Sequence, residues 1–320
     1  MKFLCDQKTS SIDQIEFRDG YDSIFIGSCV DLDDRSELVN KYILKGFSKK
    51  KIFYVFYDSQ SFKMQVNGKI YTLDQAFNLI SEVAGKSVLI ECTTIDFVEL
   101  TFILKQLYGK VDAIDFLYLS PDSYGKGFSP SINTHDFQLS DSFKKSMPVP
   151  GFTPMLGSHG SKVSLVAFVG FEGSRVGRVL NDDENATIKN LLIAFAVPPF
   201  QSGWENHSIF QHAQFLEESV CGEAEFISAY SPLSTYVFLA DRIEPVIEDN
   251  DVLQIAAYGT KPSSIGASVY AVEKLLEQNE KMLAGDFSGI LQISLQYDFP
   301  NKSSHRSSGV GNVYLYSLTS

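Results

Sequence analysis

The feature that most constrains this chain is a rhythm. Short apolar runs, rich in β-branched and aromatic residues, alternate with longer stretches in which apolar residues return every three or four positions. In the first half the runs fall at 24–27, 52–57, 88–92 and 113–120 and read as buried parallel strands. Between them, 35–46, 73–84 and 95–108 carry helical periodicity. The second half repeats the pattern, with strands expected at 164–170, 191–197, 225–230, 252–258 and 290–297 and helices at 208–219, 234–243 and 263–278. This βαβ alternation predicts an α/β fold with mainly parallel sheets.

Residues 128–162 interrupt the rhythm. They are dense in Ser, Gly and Met, and Pro130, Pro148, Pro150 and Pro154 break any regular element. The expected organisation is a Rossmann-like N-terminal lobe over 1–150 and a Rossmann-like C-terminal lobe over 151–320. The run 312–318 is expected to pair with 290–297 as a closing C-terminal β-hairpin, with Lys302, His305 and Arg306 on its loop. Each lobe opens on a strand ending in Gly, Gly27 or Gly170, followed by an acid-Arg element: Asp33-Asp34-Arg35 in one, Glu172-Gly173-Ser174-Arg175 in the other. That suggests a duplication, although common α/β grammar yields the same pattern.

In open parallel sheets, ligands bind outside the carboxyl ends of the strands. The turn Gly259-Thr260-Lys261-Pro262-Ser263 leaves such an end and opens a helix. Gly259 permits close approach of backbone to ligand, and Pro262 suits a first helical turn. The helix amides, the Thr260 hydroxyl and the Lys261 ammonium would receive an anion such as phosphate. The same residues also fit an ordinary capped turn. Glu172 and Arg175 are candidates for ribose or phosphate contact, and Glu172 or Asp33 would be the acid/base of an enzyme. At Asp33, helix capping is the favoured reading. The segment 198–207 adds Trp204, a platform for a base or sugar beside His207, or else a loop anchor.

Around Gly259-Thr260-Lys261, the strand, tripeptide and following helix resemble the corresponding element of CRISPR-associated Rossmann-fold (CARF) ligand-sensing domains. The tandem organisation is similar to SAVED domains, which hold two such units. Tyr258 stands where the family pattern has a further Gly, and no nuclease or winged-helix effector segment is recognisable. The resemblance implies a bacterial antiviral defence component that binds a nucleotide through Thr260 and Lys261 and acts with a separate effector chain.

Charge narrows the partners. At a net charge of −12 the chain is poorly suited to neutralising a nucleic-acid backbone, so nucleic acid is not expected as the main ligand. A nucleotide-like small molecule and a protein partner are. No apolar run approaches the roughly 20 residues of a spanning helix, so no membrane segment is expected. The start lacks the apolar stretch of a signal peptide, which points to a cytoplasmic protein. Cys5, Cys29, Cys92 and Cys221 lie too far apart for a zinc site or redox dithiol and read as reduced thiols. No metal ligand set is legible and no cofactor is indicated. The readings that follow are a nucleotide- or phosphate-binding component, a hydrolase or glycosyl-transferring enzyme on a nucleotide or nucleoside, and a structural subunit of a complex.

Overall fold

The computed structural model describes residues 2–28, 33–129, 134–137, 139–153, 162–183, 187–218, 222–248, 251–303 and 306–320. The chain is mixed α/β and forms two compact units, Met1–Gly125 with Ser304–Ser320, and Lys126–Ser303.

Unit 1 begins with β1 (Lys2–Thr9), β2 (Ser23–Gly27), α1 (Asp34–Gly46), β3 (Ile52–Asp58), β4 (Lys63–Val66) and β5 (Lys69–Tyr71). It continues through α2 (Leu73–Val83), β6 (Ser87–Glu91), α3 (Phe97–Leu107), β7 (Ala113–Leu119) and β8 (Ser123–Tyr124). Unit 2 starts with short strands: β9 (Lys126–Ser129), β10 (Thr134–Phe137), β11 (Ser140–Phe143) and β12 (Met147–Pro148). There follow β13 (Val163–Phe168), α4 (Ser174–Asp182), β14 (Ile188–Ala196), α5 (Trp204–Glu218) and β15 (Gly222–Ile227). Next come α6 (Pro232–Val237), continued by a π-helical turn (Phe238–Ile243), then β16 (Val252–Ala257), α7 (Lys261–Leu283), β17 (Gln292–Tyr297) and β18 (Pro300–Lys302). The chain returns to unit 1 for β19 (Ser307–Ser308) and β20 (Val313–Thr319).

The unit 2 sheet has the order β12-β17-β16-β13-β14-β15, parallel throughout except at β12. The unit 1 sheet has the order β1-β20-β7-β6-β2-β3-β4-β5. Its centre, β7-β6-β2-β3, is parallel, and antiparallel strands flank it on both sides. In each unit the first parallel strand, β2 or β13, lies mid-sheet; the chain moves one way from it through the first crossover and later returns to its other side, at β6 or β16. The parallel strands are apolar because they are buried on both faces: every residue of β13 and β7 is buried. One face of the unit 1 sheet packs under α1 through Ile24, Ile26, Val39, Ile43, Ile52, Leu89 and Leu117. The corresponding face of unit 2 packs under α4 and α5 through Leu165, Ala167, Val176, Leu191, Ile193 and Phe215.

The expected closing hairpin does not form. β17 lies beside β16 in unit 2, whereas β20 is inserted antiparallel between β1 and β7 in unit 1. The reason is legible in β20 itself: Val313 to Leu318 are buried without alternation, which requires a strand neighbour on each side and cover on both faces. An outer hairpin arm has neither. Part of the expected irregular stretch 128–162 is likewise structured, with β11 paired to β18 and β12 to β17.

Candidate functional site

β13 and β16 lie side by side at the centre of the unit 2 sheet, and the chain departs from them to opposite sides. Their exit loops close on one another. A Cβ on Gly170 would sit 3.1 Å from the Tyr258 carbonyl oxygen, and one on Gly259 would sit 2.9 Å from that of Val169. Glycine at both places is what lets the loops approach. Both sequence-selected turns, at Glu172 and at Gly259, are therefore on this carboxyl edge.

Arg175 lies in the first turn of α4 and is buried. Its Nε donates to Asp298 Oδ2 at 2.9 Å, its Nη2 to Asp298 Oδ1 at 2.5 Å, and its Nη1 to the Tyr258 carbonyl at 3.2 Å. The guanidinium also stacks on the Tyr258 ring, 4.4 Å from its centroid, with Phe143 and Tyr297 farther out. Burial alone would lower the pKa of this group, but the Asp298 charge overrides it and drives the value up. Arg175 thus ties α4, β16 and the end of β17 together.

Glu172 precedes α4. Its Oε1 accepts from the Leu139 amide at 3.2 Å and its Oε2 from the Ser140 hydroxyl at 3.1 Å. Burial raises its pKa above the ordinary carboxylate value, against the opposing pull of Arg175 and of these hydrogen bonds. Beside it an aromatic group gathers. The Phe137 ring is 4.5 Å from Phe171, 4.7 Å from His207 and 6.0 Å from Trp204, and Phe171 meets Trp204 edge-on at 5.9 Å. The second turn of α5 is held to the exit of β13 by the Ser208 hydroxyl, which donates to the Gly170 carbonyl at 2.6 Å. Glu172 and Trp204, far apart in sequence, belong to one neighbourhood through Phe171.

The third component is the start of α7. Thr260 is the N-cap: its hydroxyl accepts from the Ser263 amide at 3.4 Å and lies 3.1 Å from the Ser263 hydroxyl. Lys261 opens the helix, half-buried, and Pro262 has no amide to offer. Ser263 is buried. Part of this helix end is therefore already capped by its own residues, and the positive end of the helix dipole remains at the sheet edge.

Asp33 occupies the corresponding place in unit 1, where it caps α1 in a capping box with Ser36. Arg35 donates to its Oδ2 through Nη2 at 2.5 Å and Nε at 3.0 Å, and the Ser307 hydroxyl donates to the same oxygen at 2.7 Å. Burial opposes ionisation, yet Arg35, Ser307 and the Ser36 amide prevail and hold the Asp33 carboxyl at about 2. Arg35 also donates to the Leu119 carbonyl at 3.3 Å.

Several residues at these edges escaped sequence reasoning. Asp298, Phe137 and Phe171 carry no local signal, because their importance comes from long-range pairing. In unit 1 the buried Glu91 accepts from the Thr93 and Thr94 amides and from the Thr94 hydroxyl, and Thr94 Oγ1 in turn accepts from the Gly27 amide at 3.0 Å. Burial raises the Glu91 pKa. The run Glu91-Cys92-Thr93-Thr94 at a strand end was the available cue. Cys92 is buried with its thiol toward the Ile90 carbonyl, a core position. Cys29, Cys221 and His305 lie outside the described residues. Among the described residues, no group of three or more His, Cys, Asp or Glu could hold a metal ion, and no helix is long and apolar enough to cross a membrane. No family model, curated protein or solved structure matches the chain.

Proposed function

We infer that this chain is a ligand-binding protein of two Rossmann-like units, and that unit 2 takes a nucleotide-like anion at the carboxyl edge of its sheet. The observation that carries this reading is the grouping of three features at the carboxyl ends of β13, β14 and β16. They are the α7 N-terminus with Thr260 and Lys261, the Glu172 carboxyl, and the rings of Phe171, Trp204 and His207. Such a strand-order reversal is where α/β sheets accommodate ligands. A base or sugar would lie against the rings, and a phosphate would face the helix dipole and the Lys261 ammonium. Arg175, engaged with Asp298, supports the floor of this region.

Binding is favoured over catalysis because Asp33 is committed to capping and ion pairing. The enzyme reading, a hydrolase or glycosyl-transferring activity, retains one supporting observation: a Glu172 pKa raised by burial, as a general acid requires. The CARF-like resemblance extends the proposal to bacterial antiviral defence with a separate effector chain. Calorimetry against a panel of nucleotides, with wild type and Lys261→Ala, tests the central reading. Saturable binding that weakens about tenfold in the variant is expected for loss of one charge-assisted contact. Absence of binding across the panel, or binding indifferent to Lys261, overturns it.

A further inference from the structure

The rings that would receive a base already touch another ring. Phe137 stands 4.5 Å from Phe171, 4.7 Å from His207 and 6.0 Å from Trp204, centroid to centroid, and is only 7% exposed. Aromatic groups pack edge-on or offset at such separations, so a base laid against the same rings needs the volume that the Phe137 ring fills. Phe171, Trp204 and His207 come from the exit of β13 and the start of α5, which belong to the six-stranded sheet or pack upon it. Phe137 comes from elsewhere. It ends β10, and among the described residues β10 is hydrogen-bonded as a strand to β9 alone. Just beyond it the chain is pinned. Glu172 holds the Leu139 amide and the Ser140 hydroxyl, the Ser303 amide donates to the Leu139 carbonyl at 3.0 Å, and β11 pairs with β18. These anchors are independent of the Phe137 ring.

We propose that Phe137 is an intramolecular gate on this site: its ring occupies the place of the base, and a nucleotide binds by displacing it. The proposal rests on the nucleotide reading of unit 2 and adds an internal competitor to it. Displacement is local, because β10 contributes no strand pairing to the six-stranded sheet and the anchors at Leu139 and Ser140 hold the chain while the ring swings out. The cost appears as a population effect. A site that is competent only with the ring withdrawn binds with its intrinsic dissociation constant divided by the open fraction. That penalty falls on the base alone. A sugar phosphate, which lacks the group that competes with the ring, escapes it and still meets the Thr260 and Lys261 end of α7.

The probes are the four common ribonucleoside monophosphates and ribose 5-phosphate, titrated by calorimetry into the full chain as wild type, Phe137→Ala and Phe137→Leu. Phe137→Ala should bind the preferred nucleotide about tenfold more tightly than wild type. Phe137→Leu, which keeps apolar volume at the site but has no ring, should fall between the two. Ribose 5-phosphate should bind all three proteins alike. Circular dichroism and urea midpoints establish that the variants fold, and the leucine variant carries the test if the alanine variant does not. Nucleotide affinity that is unchanged or weakened in folded Phe137→Leu overturns the gate and leaves the nucleotide reading standing, because Phe137 would then be a wall of the site or lie outside it. An equal gain for ribose 5-phosphate also overturns it, since the ring would then obstruct the phosphate and not the base. Absence of nucleotide binding in all three proteins overturns the nucleotide reading and the gate with it.

Discussion

Arg175 and Asp298 meet in a two-point ion pair, Nε to Oδ2 at 2.9 Å and Nη2 to Oδ1 at 2.5 Å, with both side chains buried. One partner opens α4 and the other follows β17, so the pair joins the first crossover of unit 2 to its last parallel strand. In unit 1 the analogous arginine, Arg35, finds its acid two residues away in Asp33. The same demand, an acid for a buried guanidinium at a strand exit, is met locally in one unit and over long range in the other.

Removing one partner of the unit 2 pair strands a charge in a buried site. Asp298→Ala should destabilise unit 2 by about 3–5 kcal/mol, because the guanidinium keeps its desolvation cost and loses its counter-charge. Arg175→Lys should also be costly, since a single ammonium cannot reproduce the fork. Urea unfolding followed by circular dichroism measures both. A change of a few tenths of a kcal/mol in Asp298→Ala would show that the pair is solvated and dispensable.

Asp33 makes stability pH-dependent in a defined window. Its folded pKa of about 2 lies below the ordinary aspartate value of 3.8, so the carboxylate's contribution is complete above pH 3.8 and is lost as pH falls toward 2. The difference corresponds to about 2 kcal/mol. Asp33→Asn should therefore be less stable than wild type at neutral pH, and the two curves should converge as pH drops through this window. Parallel acid titrations of both proteins give the comparison, and curves that stay parallel to pH 2 would falsify the assignment.

What the sequence disclosed and what it withheld follow from range. The central strands and crossover helices were legible because burial on both faces, or on one stripe, imprints a periodicity on residues near each other in the chain. α7 begins at Lys261, just ahead of Pro262, as the Gly259-to-Ser263 turn suggested. The meander was missed even though Asn67 and Gly68, with φ of 50° and 76°, supply the turn between β4 and β5. Strands of four and three residues are too short to establish a period. The partner of β20 was misassigned because register between distant strands is set by the completed sheet. The candidate site divided the same way: Glu172, Trp204 and Lys261 could be selected by their place after strands, whereas Phe137 and Asp298 become visible only once the chain is folded.

The neighbourhood of Glu172 contains its own reporter, since Trp204 is the chain's only tryptophan and packs edge-on against Phe171 and Phe137. Burial raises the Glu172 pKa, so the folded state binds this proton more tightly than the unfolded chain. The sign is opposite to that of Asp33: stability from Glu172 is greatest below its unfolded pKa and declines as pH rises through the folded value. Glu172→Gln removes that dependence. The amide mimics the protonated carboxyl, its carbonyl accepting from the Leu139 amide and its NH2 able to donate to the Ser140 hydroxyl oxygen, and it does not titrate. The stability of wild type relative to Glu172→Gln should therefore be highest in mild acid and should fall on titration toward neutrality, read from Trp204 emission during urea unfolding. An advantage that grows with pH instead would mean that the carboxylate, not the carboxylic acid, is the form this site prefers.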